Sequence, residues 1–277
     1  MREVTLPGGE RVPALGQGTW HIGDHKGTRA EEIATLKEGL DLGLSLIDTA
    51  EMYGEGAAEE LVGEAIAGRR DQAFIVSKVY PHNATRRGVI AACERSLKRL
   101  GTDRIDLYLL HWRGSVPFAQ TIAGFEDLKA AGKIRHYGVS NLDIGDMREW
   151  WASAGGRSVA TNQILYNLTR RGPEWDLLPW LAERHIPLMA YSPIEQAALL
   201  EHPGLVAFAR EHAMTPAQAA LAWLMRRDDV IVIPKTGQRA RLRENAAARD
   251  IVLDHAHLAA LDRLFPPPRK ARALEML

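Results

Sequence analysis

Residues 44–56 read LSLIDTAEMYGEG. Leu44 to Ile47 is an apolar run of strand length, and Asp48 stands at its C-terminal lip. Tyr53 follows in a loop closed by Gly54 and Gly56. Taken alone, Asp48 reads slightly better as a turn cap and Tyr53 as a rim aromatic. Recurrence changes that balance, because the apolar runs beginning at Phe74 and Ile105 end on Lys78 and His111, at matching lips.

On either side of this stretch the chain alternates strand and helix patterns. Val4 to Val12, with Gly8 and Gly9 at its centre, reads as a small hairpin. A short strand over 14–19 follows, with Trp20 just beyond it. Helical spacing runs over 31–42, 59–66, 86–100 and 121–131, and Gly101 and Gly132 stop the last two. Between them lie strands at 74–78, 105–111 and 134–140. The second half continues with a helix over 144–154, a strand over 159–163, a helix over 176–184 and a strand over 187–191. Helices at 205–212 and 216–226 come next, the latter with Pro216 at its first position. A final strand at 230–233 precedes helices at 239–247 and 255–264.

About eight strand-then-helix units with no low-complexity linker argue for one domain, residues 1–277, built on a parallel sheet with crossover helices. A closed (β/α)8 barrel of roughly 250 residues suits this length, with the N-terminal hairpin closing its bottom. In such a barrel every strand opens on one face, and the site lies there. The lips then present Trp20, Asp48, Lys78, His111, Ser140, Asn141, Gln163, Tyr191, Ser192, Pro234 and Lys235. A barrel with no active site would need no such collection.

Composition narrows the function. The 277 residues are 46% hydrophobic and 25% charged, ordinary for a globular protein. Lys+Arg and Asp+Glu number 35 each, so no net field invites nucleic acid or an anionic membrane. Cys93 falls in a helical apolar set with Ile90, Leu97 and Leu100 and reads as core; one thiol makes neither a disulfide framework nor a zinc cluster. With no signal core at the N-terminus and no apolar run of spanning length, the chain reads as cytoplasmic. A monomer is the default in the absence of an interface stripe. His21 and His25 lie in a Gly-rich loop without a well-spaced third ligand, so no metal is expected.

The lip residues suggest a chemistry. A phenol ordinarily titrates near ~10. An ammonium within hydrogen-bond reach favours the phenolate, and a carboxylate keeps that ammonium charged and aimed. Asp48, Lys78 and Tyr53 are the parts of that device, and His111, as a neutral imidazole, can orient a carbonyl oxygen. Such a set protonates an oxygen as charge develops on it, which suits carbonyl reduction by an external hydride donor.

The segments DTAEMYG (48–54), IVSK (75–78), DLYLLHW (106–112), GVSN (138–141), NQ (162–163), YSP (191–193) and IPK (233–235) occur in this order over nearly the whole chain. Together they resemble the aldo-keto reductase family, TIM barrels that reduce aldehydes and ketones with NADPH. The resemblance implies Tyr53 as general acid, Lys78 and Asp48 as its tuning pair, and His111 as the carbonyl-orienting donor. It also implies Ser140, Asn141, Gln163 and Tyr191 at the nicotinamide, with Ser192 and the loop after it, including Pro193, at the pyrophosphate. Gly18, Thr19 and Trp20 belong to the same cofactor wall.

No G-x-G-x-x-G follows a strand, so the dinucleotide is expected to lie extended across the barrel mouth. Lys235, Thr236 and Arg241 cluster where a 2′-phosphate can bind, hence NADPH (NADP+) rather than NADH, and the resemblance implies Glu244 and Asn245 as adenine contacts. Trp20, Tyr80, His82 and Trp112 are expected as substrate walls. Small aldehydes, dicarbonyls such as methylglyoxal and aromatic aldehydes all suit such a pocket. The segment after Leu264 is short, so a small C-terminal loop is expected. Two other classes stay open: an NADPH-binding sensor barrel with little turnover, and a metal-dependent barrel hydrolase.

Overall fold

Alternate strand residues of this chain face opposite ways, and the two sets pack into two separate apolar clusters. The computed structural model describes residues 2–277. Its strands are β1 (Glu3–Thr5), β2 (Arg11–Pro13), β3 (Gln17–Gly18), β4 (Leu46–Asp48), β5 (Phe74–Val79), β6 (Ile105–Leu110), β7 (Ile134–Ser140), β8 (Val159–Leu165), β9 (Leu188–Tyr191) and β10 (Val230–Val232). The helices are α1 (Arg29–Asp41), α2 (Ala57–Ile66), α3 (Arg86–Leu100), α4 (Phe118–Ala130), α5 (Ile144–Ala152), α6 (Leu177–Ala182), α7 (Pro203–Glu211), α8 (Pro216–Met225), α9 (Arg239–Ala247) and α10 (His255–Leu264).

Strands β3 to β10 form one sheet in sequence order, every adjacent pair parallel. The sheet curls until its edges meet. Leu15 bridges Val232 and Gly18 bridges Lys235, with Gly16 N donating to Val232 O at 2.8 Å and Gly18 N to Pro234 O at 3.0 Å. This seam is thin. Pro234 has no N–H to donate, so the ladder is interrupted there, and only Gln17–Gly18 of the strand expected over 14–19 is regular. A Cβ at Gly18 would stand 2.8 Å from the carbonyl oxygen of Ile233, so only glycine lets the two edges approach this closely.

Inside the barrel Leu46, Phe74, Val76, Leu107, Leu109, Met189 and Ile231 make one cluster. Val4, Leu6 and Val12 of the β1–β2 hairpin join it, which plugs the bottom as the sequence suggests. The intervening residues Ile47, Ile75, Tyr108, Leu110 and Val232 face the helices in the larger outer cluster. Continuing the inner parity by two residues leads from Leu46 to Asp48, from Val76 to Lys78 and from Leu109 to His111. The apolar column thus ends in a polar top layer.

The helices begin and end where local chemistry dictates. Thr85 caps α3 by accepting from Gly88 N at 3.1 Å, and Gly101 closes it in the left-handed conformation. Helix α8 starts on Pro216 behind a Thr215–Gln218 capping box. Among the described residues no helix is long and apolar enough to cross a membrane, and no group of three or more His, Cys, Asp or Glu could hold a metal ion. Cys93 is buried, and burial pushes its thiol up to about 12, so it stays protonated.

Candidate active site

Asp48 and Lys78 meet in the top layer because β4 and β5 are adjacent and parallel, with Asp48 opposite Val76 and Lys78 two residues further along. Lys78 is fully buried, and its ammonium is held at three points. Nζ meets the Asp48 carboxylate at 2.8 Å, donates to Thr49 O at 2.8 Å and donates to the Tyr53 hydroxyl at 3.2 Å. An ammonium has three protons, and all three are used. Asp48 also accepts from Gln163 Nε2 at 2.7 Å, so that amide is committed to the carboxylate.

The loop after β4 fixes the direction of Tyr53. Gly54, Glu55 and Gly56 all have positive φ, which turns the chain sharply just past the tyrosine. A Cβ at Gly56 would lie 2.5 Å from the Arg99 side chain, itself held by the buried Glu59, so glycine is required there for space as well as conformation.

The electrostatics differ from the sequence expectation in one respect. Burial, and then the Asp48 charge, push the Tyr53 phenol well above its ordinary value, so the resting hydroxyl is firmly protonated. Spacing suggests an acidified phenol because it sees the cation but not the desolvation. Burial likewise lowers Lys78, with Asp48 opposing, and raises Asp48, with Lys78 opposing. An ammonium placed here would stabilise a phenolate only as the proton leaves, since it already stands within hydrogen-bond reach of the oxygen. Because Oη accepts from Nζ, its own proton is free to point into the cavity.

His111 faces Tyr53 edge-on, with ring centroids 5.9 Å apart. Burial, reinforced by the Lys78 cation, drives its pKa well below the usual histidine value, so it is the neutral imidazole expected from the sequence. Its Nδ1 is buried without a partner. A buried lone pair is easier to leave unpaired than a buried N–H, so the proton belongs on Nε2, leaving a donor for an incoming oxygen.

These groups open into a cavity of about 1130 Å³ at the strand C-termini. That exceeds the roughly 300–1,000 Å³ of an ordinary small-molecule pocket, so there is room for a long ligand beside a small one. Gly18, Thr19, Trp20, Ser140, Asn141, Gln163, Tyr191, Ser192, Pro193, Lys235, Thr236, Arg241, Glu244 and Asn245 all line it, as do Asp48, Tyr53, His111 and Trp112. Lys78 sits behind this surface. Tyr80 and His82, expected as substrate walls, are not part of the lining. They stack on each other at 4.7 Å, and Tyr80 meets Trp112 edge-on at 5.9 Å, so they back the wall instead of forming it. Gln196 lines the cavity from the loop expected at the pyrophosphate, whereas Met52, Met276 and Leu277 line it without having been anticipated.

Further polar groups are preset around the cavity. Asn141, with φ of 56°, donates to His111 O and accepts from the Tyr191 hydroxyl at 3.0 Å. Ser140 Oγ donates to Gln163 O at 2.8 Å. At the far end Arg239 and Arg243 pair with Glu31 and Glu38. Their neighbours Lys235 and Arg241 make no ion pair among the described residues, leaving two cations for an anion.

A barrel with a buried carboxylate–ammonium–phenol chain opening beside a neutral imidazole defines a class of carbonyl-handling oxidoreductase. Residues 14–265 match the family model described as the aldo/keto reductase family, and the chain belongs to that family. It is 48% identical to the methylglyoxal reductase YeaE of Escherichia coli K12, over 99% of this chain and 98% of that one. It is 32% identical to the methylglyoxal reductase DkgB of Salmonella typhimurium, over 95% and 98%. An aldo/keto reductase of Klebsiella pneumoniae crystallised with NADP and acetate superposes with a TM-score of 0.97 at 48% identity, covering 100% of this chain and 99% of that one.

Proposed function

We propose that this protein is an NADPH-dependent reductase of small aldehydes and ketones, dicarbonyls such as methylglyoxal included, with Tyr53 as proton donor. The carrying observation is the hydrogen-bonded run from Asp48 through Lys78 to Tyr53, ending at a cavity too large for an aldehyde alone. Membership of a family whose relatives include methylglyoxal reductases and a protein crystallised with NADP supports the substrate class and the cofactor.

The residues fit that cofactor. Lys235 and Arg241, which make no ion pair among the described residues, are cations suited to a 2′-phosphate dianion. Tyr191, Ser192 and Pro193 line the cavity, and the Tyr191 hydroxyl is tied to Asn141. Bound here, a reduced nicotinamide supplies the hydride. His111 Nε2–H and the Tyr53 hydroxyl together hold the carbonyl oxygen and polarise it. As negative charge grows on that oxygen, Tyr53 gives up its proton, and the Lys78 ammonium stabilises the phenolate left behind. Asp48 keeps the ammonium charged throughout, and Gln163 keeps Asp48 aimed.

The test is NADPH oxidation over a panel of aldehydes and dicarbonyls with Tyr53→Phe as control. Loss of the general acid is expected to lower kcat about 10²–10⁴-fold. Full activity in Tyr53→Phe would remove the phenol from the mechanism. Turnover at or below ~0.01 per second on every substrate, against about 1–1,000 per second for ordinary enzymes, would favour a sensor.

A further inference from the structure

Beyond the reducing site, one guanidinium touches two segments that both line the cavity. Arg170, in the loop after β8, donates through Nε and Nη2 to Glu195 Oε1 at 2.8 and 2.5 Å, and through Nη1 to Glu275 Oε1 at 2.6 Å. Glu195 opens the loop after β9, whose residues Ser192, Gln196 and Ala197 line the cavity at the proposed cofactor. Glu275 immediately precedes Met276 and Leu277, which line the cavity as well.

Both segments depend on this anchor. Ser192, Glu195, Gln196 and Ala197 all have positive φ, a conformation that costs each non-glycine residue free energy and persists only when its surroundings enforce it. The enforcement comes from the fully buried Asn167, whose Nδ2 donates to Ser192 O at 2.9 Å and to Glu195 Oε2 at 2.7 Å, and from Arg170 on the other carboxylate oxygen. Asn167 Oδ1 accepts from Arg170 N at 3.1 Å, so the amide also sets the arginine backbone. The 269–277 segment has no regular structure. Leu274 lines a small cleft with Ile144, Pro173 and Leu177, the Leu277 backbone hydrogen-bonds the Tyr191 side chain just before the cofactor loop, and Glu275 ties the segment to that loop through Arg170. Met276 and Leu277 are each more than half exposed, so no core packing of their own holds them at the rim.

We propose that Arg170 is a positioning residue that couples the loop after β9 to the 271–277 segment, so that a cofactor seated under the loop also sets the rim formed by Met276 and Leu277 against the substrate. This rests on the placement of NADPH proposed above. Cofactor seated under the loop would add to the hold that Asn167 and Arg170 already have on Glu195, and so would favour the arrangement in which Arg170 also reaches Glu275. With cofactor the loop is pinned, and the arginine presents its third N–H to the tail. Larger substrates, which reach the rim, feel this more than small ones.

The experiment uses trypsin cleavage after Arg272, followed by mass, with and without saturating NADP+, alongside NADPH binding by fluorescence and steady-state kinetics with benzaldehyde and methylglyoxal. In the wild-type protein NADP+ is expected to slow the cut at least about threefold. Glu275→Gln abolishes that slowing, raises KM for benzaldehyde about three- to tenfold and leaves kcat within about twofold, the pattern of lost ground-state positioning. By reciprocity its NADPH affinity falls no more than about threefold. Arg170→Ala reproduces these changes and also weakens NADPH, and adding Glu275→Gln to it moves KM by less than about twofold, since a shared link can be broken only once.

A cut that ignores NADP+ while NADPH binds normally overturns the coupling alone. So do wild-type KM values in Glu275→Gln, or KM effects that multiply in the double variant. Wild-type protein that fails to bind NADPH overturns both the coupling and the functional reading beneath it.

Discussion

Asp106 and Asp48 are almost wholly buried at opposite ends of this barrel, and only Asp48 belongs to the site proposed for the chemistry. Asp106, at the lower end of β6, accepts from Arg70 Nη2 at 2.7 Å, from Ile75 N at 2.8 Å and from Arg135 Nη1 at 3.3 Å. Both guanidiniums reach towards solvent, and every bond made there closes on structure. Asp48, at the upper end, has a partner that is itself fully buried, and that partner's third proton goes to a phenol lining a cavity. A buried ion pair is therefore no mark of catalysis. What distinguishes the upper pair is that its hydrogen bonding continues into open space, at an atom that can exchange a proton with a ligand.

Substitutions can break this contrast. Lys78→Met leaves the Asp48 charge buried without its cation, with only the Gln163 amide donating to it, which is expected to cost about 3–5 kcal/mol by chemical denaturation. Adding Asp48→Asn should restore most of that stability while activity stays lost, separating what the pair does for the fold from what it does for chemistry. Asp106→Asn is expected to lose about 1–3 kcal/mol with kcat within about twofold, because its partners keep some access to water. If Asp106→Asn abolished turnover at normal stability, the two ends would not differ in the way described.

Smaller effects sharpen it. Lys235→Ala and Arg241→Ala should each weaken NADPH about tenfold and leave NADH nearly unchanged, in titrations run side by side. Equal losses with both cofactors would detach these cations from the phosphate. The smallest effect is on pH dependence. The folded-state pKa of His111 lies well below its value in the unfolded chain, so unfolding takes up a proton once pH drops below about 6.5. Stability contributed by the neutral ring is complete above that pH and lost as pH falls. Between pH 6.5 and 5.5 the wild-type protein should lose up to about 1.4 kcal/mol per pH unit more than His111→Gln, measured by denaturation at each pH.

Much of this was legible in the sequence because barrel geometry converts position into place. Asp48, Lys78 and His111 each interrupt an apolar run at its C-terminal end, and a two-residue stagger between successive parallel strands carries all three to one layer. Helix ends were readable from Gly101 and Pro216 because capping is local. Other features depend on packing between distant residues. The resting protonation of Tyr53 follows from desolvation, which spacing does not reveal. Gln163 was readable as a lip residue, but its commitment to Asp48 needs the barrel to be closed. Tyr80 and His82 follow the right strand yet fold back on each other behind Trp112. The short tail gave no hint of reaching the rim, since its tie to Arg170 spans sequence with no periodic signal. The Glu195–Ala197 run of positive φ carries no glycine, so turn chemistry could not announce it.

The thin seam between Leu15 and Val232 has a consequence for how the molecule is assembled. Every other strand can find its neighbour as soon as the next unit is synthesised, but this join waits for both ends of the polypeptide. Until then the nascent sheet has two raw margins, and Lys235 is only half of a place. A phosphate gripped by Lys235, directly across from Gly18, would act as a rivet through the last joint to form.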